Sequence, residues 1–190
     1  MGIASPTNST TEPFPPEVYS VGDLHPAVAT WFTRRFPGGP TAPQREGWPH
    51  IASGQDTLIA APTGSGKTLA GFLMCIDRLY RVHDSGGSIA GIARVVYVSP
   101  LKALAVDIAE NLQQPLAEIA EVAWELGTKP PNITVGVRTG DTSASERTRM
   151  TRTPPHFVVT TPESLYLLVT SASGRKALSL DPPSWVGSRS

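Results

Sequence analysis

At 190 residues the chain is long enough for one domain with a hydrophobic core. Sixteen basic residues balance sixteen acidic ones, so no bulk field draws it to a polyanion or a membrane, and any such binding has to be local. A single cysteine, Cys75, excludes an intramolecular disulfide and a cysteine zinc site, and His25, His50, His83 and His156 lack metal-ligand spacing.

Residues 1–20 are rich in Pro, Ser and Thr, carry no basic residue, and read as a flexible tail. A domain is expected over 21–176 and an irregular tail over 177–190. Pro26 opens a helix in "HPAVATWFTRRF", which ends before Pro37. "PQREGWPHIASG" reads as a second short helix stopped by Gly54. "DTLIAA", residues 56–61, is an apolar run ahead of a glycine-rich turn and reads as a buried strand. The next helix places Leu69, Phe72, Leu73, Ile76 and Tyr80 on one apolar face, with Cys75 packed beside it. After the loop "SGGSIAG", "ARVVYVS" is a second strand. "LKALAVDIAENLQQPLAEIAEVAWELG" is helical, with a break or kink expected near Pro115. "ITVGVRTG" is a third strand and "SASERTRMTR" a helix opened by a serine cap. "HFVVTT" is a fourth strand, and "PESLYLLVTS" a helix with proline at its start.

Strands alternate with helices throughout, which predicts an α/β fold: a parallel sheet with helices on both faces. No apolar stretch is long enough to span a bilayer, and the N-terminus has neither a basic n-region nor an apolar h-region. The expectation is a cytoplasmic protein with no membrane partner.

The segment "AAPTGSGKT", Ala60 to Thr68, has the P-loop pattern of Gly, four residues, Gly-Lys and Ser or Thr, with Ala61 in place of the first glycine. Gly64 and Gly66 let the backbone curl so that successive amide N–H groups, those of Thr63 and Ser65 included, face phosphates. The following helix adds the partial positive charge of its N-terminus. Lys67, one of only four lysines against twelve arginines, is placed to reach the β- and γ-phosphates of ATP, and the Thr68 hydroxyl to ligate Mg²⁺.

"PTAPQREGWPHI", "APTGSGKTLA", "YVSPLKALAVDIAENL", "VRTGDTSASER" and "VVTTPESLYLLVTSASGR" follow one another in order. Together they resemble the first RecA-like domain of a superfamily 2 helicase, of the large helicase-related (Lhr) type: ATP-dependent DNA helicases that move along single strands. The resemblance covers residues 22–175, most of the chain. It implies a RecA-like P-loop fold, ATP and Mg²⁺ as cofactors, and Lys67 as the catalytic lysine. It implies that Gln44 reads adenine, its amide offering one donor and one acceptor to the N6 amino group and N7. Trp31 and Phe36 are candidates to pack near the base, but belong more naturally to the core.

The resemblance further implies that "SPLKAL", "TGD" and "TPE" hold a nucleic-acid backbone. Lys102, Thr139, Gly140, Thr161 and Pro162 are the carried-over contacts: two hydroxyls, N–H groups at helix starts, and one ammonium. Each motif follows a strand, at the carboxyl edge where open α/β sheets bind ligands. The expected partner is single-stranded nucleic acid, DNA ahead of RNA. Arg138, Arg147, Arg149 and Arg152 make the neighbouring helix locally basic, which a solvated face explains equally well.

In such helicases an Asp-Glu pair on the next strand holds Mg²⁺ and the attacking water. Here "KALSLDPPSWVGSRS" stands instead, Asp181 is the only acid after Glu163, and no glutamate adjoins it. The expectation is an N-terminal helicase fragment, incomplete on the C-terminal side of its sheet. Hydrolysis would be slow and unwinding absent, and an apolar sheet edge would be open to a helicase partner or a complementing domain. A non-enzymatic binding module and a small P-loop phosphotransferase are the alternatives.

Overall fold

The computed structural model describes residues 19–178. A 3₁₀ turn over Val21–Asp23 leads into α1 (Pro26–Arg35), α2 (Ala42–Ala52) and α3 (Lys67–Asp84). Then follow β1 (Val95–Val98), α4 (Lys102–Glu125), β2 (Val135–Arg138), α5 (Ala144–Arg152), β3 (Phe157–Thr160), α6 (Pro162–Thr170) and α7 (Ala172–Leu178).

The helix starts follow from local chemistry. Pro26 and Pro162 occupy first-turn positions where a missing N–H costs nothing. The Ser143 hydroxyl accepts from the Glu146 N–H and caps α5. His25 caps α1 through its ring nitrogen, which accepts from Ala27 N–H at 3.2 Å. The α4 helix runs unbroken through Pro115, so the expected break is absent. Its buried Leu112, Leu116 and Ile119, on either side of the proline, anchor both halves to the same core.

The three strands pair in parallel in the order β1-β3-β2, with Val95 and Val135 both in register with Phe157. All four residues of the central strand are buried, as expected of a parallel strand covered on both faces. One face carries Tyr97, Phe157, Val159 and Val135 against α3 and α4. There the Phe72 ring meets Tyr97 at 5.2 Å and Phe157 at 5.9 Å. On the other face Val158 packs with Met150, Leu168 and Leu178 from α5, α6 and α7. The parallel sheet with helices on both faces is therefore present.

Two readings change. Residues 55–62 form no strand, and Leu58 is 94% exposed. A strand exists only by pairing, and the three described strands pair only with one another. On β1, one of the two edge strands, Val96 and Val98 remain 38% and 41% exposed. The α7 helix, absent from the sequence reading, continues through Leu178, two residues into the segment read as irregular. Residues 1–18 and 179–190, with the two tail assignments and Asp181, lie outside the described residues. Among the described residues no helix is long and apolar enough to cross a membrane.

Candidate nucleotide and nucleic-acid site

The glycine cradle runs from Ala61 to Gly66 and ends at the first residue of α3. Gly64 and Gly66 adopt φ of 82° and 85°, the left-handed region where a side chain is strained. The α3 helix is 18 residues long, has no side-chain cap at its N-terminus, and carries no acid in its first turn. Its leading N–H groups thus keep their partial positive charge for an outside anion. Thr63 and Gly64 are exposed, as is Thr68 one residue into the helix. The Ser65 hydroxyl is buried without a hydrogen-bond partner. These features fit a polyphosphate.

Lys67 folds back on its own loop. Its ammonium donates to the carbonyl oxygen of Ala61 and, at 2.7 Å, to that of Pro62. The lysine is therefore held within the cradle, on neutral acceptors that an anionic phosphate would outcompete.

The α2 helix is latched to the same loop. Gln44, only 3% exposed, accepts from Thr41 N–H through Oε1 at 2.9 Å and points Nε2 at the Gly66 carbonyl at 3.5 Å. The Thr41 hydroxyl donates to the Ser65 carbonyl at 2.9 Å. Thr41 was not singled out from the sequence, although Thr41-x-x-Gln44 has the spacing of a capping box and is a legible signal. Trp31 and Phe36 meet edge-on at 5.9 Å, Trp31 in the core and Phe36 packed against it.

The other three motifs lie side by side at the carboxyl edge of the sheet. Their strand ends are stitched together: Ser99 N–H donates to Thr160 O at 2.8 Å, and the Thr160 hydroxyl to Arg138 O at 2.6 Å. Thr139 and Thr161, whose hydroxyls are expected to meet phosphate, are 6% and 2% exposed, and the hydroxyls bond within their own turns. Thr139 Oγ1 accepts from Asp141 N–H at 3.4 Å, and Thr161 Oγ1 donates to Ser164 Oγ at 3.3 Å. Both threonines therefore shape their turns. The outward groups are Gly140, Pro162, Glu163 and Lys102.

Arg147 clamps the turn after β2, donating to Thr142 O at 2.8 Å and Gly140 O at 2.7 Å; nothing local in the sequence marks it for that task. Burial lowers the pKa of Arg138, and the nearby Arg147 charge lowers it further. Glu163 is held below the ordinary carboxylate range, first by its own backbone N–H, next by the Thr161 hydroxyl, and less by the Lys102 charge. Among the described residues no group of three or more His, Cys, Asp or Glu could hold a metal ion.

A glycine cradle opening a helix, and a parallel sheet with helices on both faces whose strands each run into a loop and a helix, define a P-loop nucleotide-binding domain of the RecA-like kind. The family model described as DEAD/DEAH box helicase matches residues 41–181, and the chain belongs to that family. It is 51% identical over 153 residues to the Lhr helicase/probable uracil glycosylase of Mycolicibacterium smegmatis, covering 80% of this chain and 10% of that protein. It is 43% identical over 163 residues to the ATP-dependent helicase Lhr-Core of Methanothermobacter thermautotrophicus, covering 86% of this chain and 18% of the relative.

Among solved structures, Mycobacterium smegmatis helicase Lhr bound to ssDNA and AMP-PNP aligns at a TM-score of 0.75 and 46% identity, over 84% of this chain and 19% of that one. The DEAD-box helicase Mss116 bound to ssRNA and UDP-BeF aligns over 84% of this chain and 31% of that one, at 0.62 and 22% identity, a likeness of fold alone. The chain thus spans 10% to 18% of the length of the two curated relatives named.

Proposed function

We propose that this chain binds ATP with Mg²⁺ in the cradle and holds the phosphodiester backbone of a single strand, DNA ahead of RNA, along the carboxyl edge of its sheet. It would do so as part of an ATP-dependent Lhr-type helicase. The observation that carries the reading is the presence of both parts in one domain. One part is an uncapped helix start with a lysine folded into its loop; the other is a set of three helix-start loops at one sheet edge, fixed to one another by strand-end hydrogen bonds.

Each residue has a chemical task. Lys67 would exchange the Ala61 and Pro62 carbonyls for the β- and γ-phosphates, and Thr68 would offer its hydroxyl to Mg²⁺, which supplies charge neutralisation of the triphosphate when bound. Beside its contacts to Thr41 and Gly66, Gln44 keeps one amide hydrogen and one oxygen lone pair that would serve adenine. Lys102 and the N–H groups at the starts of α4 and α6 would take phosphates of the strand, fixing register without reading bases. The relative bound to ssDNA and AMP-PNP supports both halves of this reading.

Titration of labelled ATP into wild type and Lys67→Ala tests the cradle. Loss of a charge-assisted contact of about 1.5–3 kcal/mol predicts affinity weaker by about 10- to 100-fold. Equal affinity of the two proteins would remove Lys67 from the site. Binding to single-stranded DNA should weaken steeply with added salt, and a flat response would remove the backbone contacts.

A further inference from the structure

Lys102 is the only basic residue in the three backbone-contact motifs, and two acids feel its charge. Its ammonium lies 2.9 Å from Asp141 Oδ1. Its chain crosses Gly140 closely enough that a Cβ there would sit 3.4 Å from Nζ. The Glu163 carboxylate also feels the Lys102 charge. The three charges come from three elements, the start of α4, the turn after β2 and the start of α6, and they sum to −1. A phosphate arriving at this edge meets a cation already engaged by a carboxylate. Both partners of the pair are more than half exposed, at 55% and 75% of the side chain, so the contact is loose and reachable by solvent and by ligand alike.

We propose that Asp141 is an internal stand-in for a phosphate: it holds Lys102 while the edge is empty and must release it when a nucleic-acid strand seats. Carboxylate and phosphate compete for one ammonium, and the displaced carboxylate then lies beside the new anion. Asp141 is thus a positioning residue that weakens backbone binding by acting through Lys102. This rests on the nucleic-acid reading above and adds to it a built-in competitor, which keeps the edge from retaining every polyanion it meets.

The test is fluorescence anisotropy of labelled oligothymidylate with the full chain at one fixed salt concentration, together with a thermal melt of each variant. Asp141→Asn should bind about 2- to 5-fold tighter than wild type, the scale of an exposed ion pair, and Asp141→Ser should do the same. Lys102→Gln should bind more weakly, and adding Asp141→Asn to it should restore nothing, because the competition needs the lysine. Asp141→Asn binding no tighter than wild type, with an unchanged melt, would overturn the proposal. So would equal tightening in the Lys102→Gln background, which would make the effect one of general charge. Failure of wild type itself to bind would instead overturn the nucleic-acid reading beneath it.

Discussion

Replacing Gly66 by alanine should show how tightly the cradle is latched to α2. A Cβ there would sit 2.8 Å from Gln44 Nε2, 3.4 Å from Gln44 Cδ and 3.5 Å from Thr41 Oγ1, on a backbone whose φ is +85°. Holding a non-glycine residue in that region costs roughly 1–2 kcal/mol. Pushing Gln44 aside forfeits the net value of its hydrogen bonds, about 0.5–1.5 kcal/mol. The sum is about 1.5–3.5 kcal/mol of folding stability, read from the urea midpoint and slope of each variant. Gly64 is the internal control: its φ is +82°, and a Cβ there meets nothing within 4 Å, so Gly64→Ala should cost only the backbone share, roughly 1–2 kcal/mol. In a Gln44→Ala background, Gly66→Ala should fall to the Gly64→Ala value, because the obstacle is gone. Equal costs for the two glycines in the native background, or an undiminished Gly66→Ala cost without Gln44, would refute the latch.

Two further outcomes follow from charge and burial. The folded pKa of Glu163 is below its ordinary value, so the stability it supplies is present above the usual glutamate range, about 4.3, and disappears as pH falls through the lowered value. Glu163→Gln should therefore lower the melting temperature slightly near neutrality and converge on wild type in acid, which gives a shallower acid limb in a plot of melting temperature against pH. Burial pushes the Cys75 thiol up to about 11, leaving about one part in a thousand as thiolate at pH 8. Iodoacetamide should leave Cys75 unlabelled in the folded protein at that pH and label it readily in denaturant, as mass spectrometry would show.

The sequence made legible those features whose cause is local. Pro26, Pro162 and Ser143 act within one turn, and each helix begins where they stand. The cradle glycines act through their own φ, and both take the left-handed values their spacing implied. Features that depend on a distant partner were hidden. The run at 56–61 is as apolar as a strand, but pairing belongs to two segments, and Leu58 faces solvent. Thr139 and Thr161 have the residue type that meets phosphate, yet each hydroxyl bonds within the turn it closes. The ion pair of Lys102 with Asp141 bridges 39 positions, and α7 lacks the length and periodicity that would mark a helix in advance.

The stitched strand ends bear on mechanics. Neighbouring strands lie about 4.8 Å apart, and bonds from Ser99 to Thr160 and from Thr160 to Arg138 brace the point where each gives way to its loop. The three loops are therefore teeth of one rigid comb. On the proposed reading, a pull on a nucleic-acid strand caught at one tooth would be borne by the whole sheet edge, and the grip would keep its pitch whatever the bases.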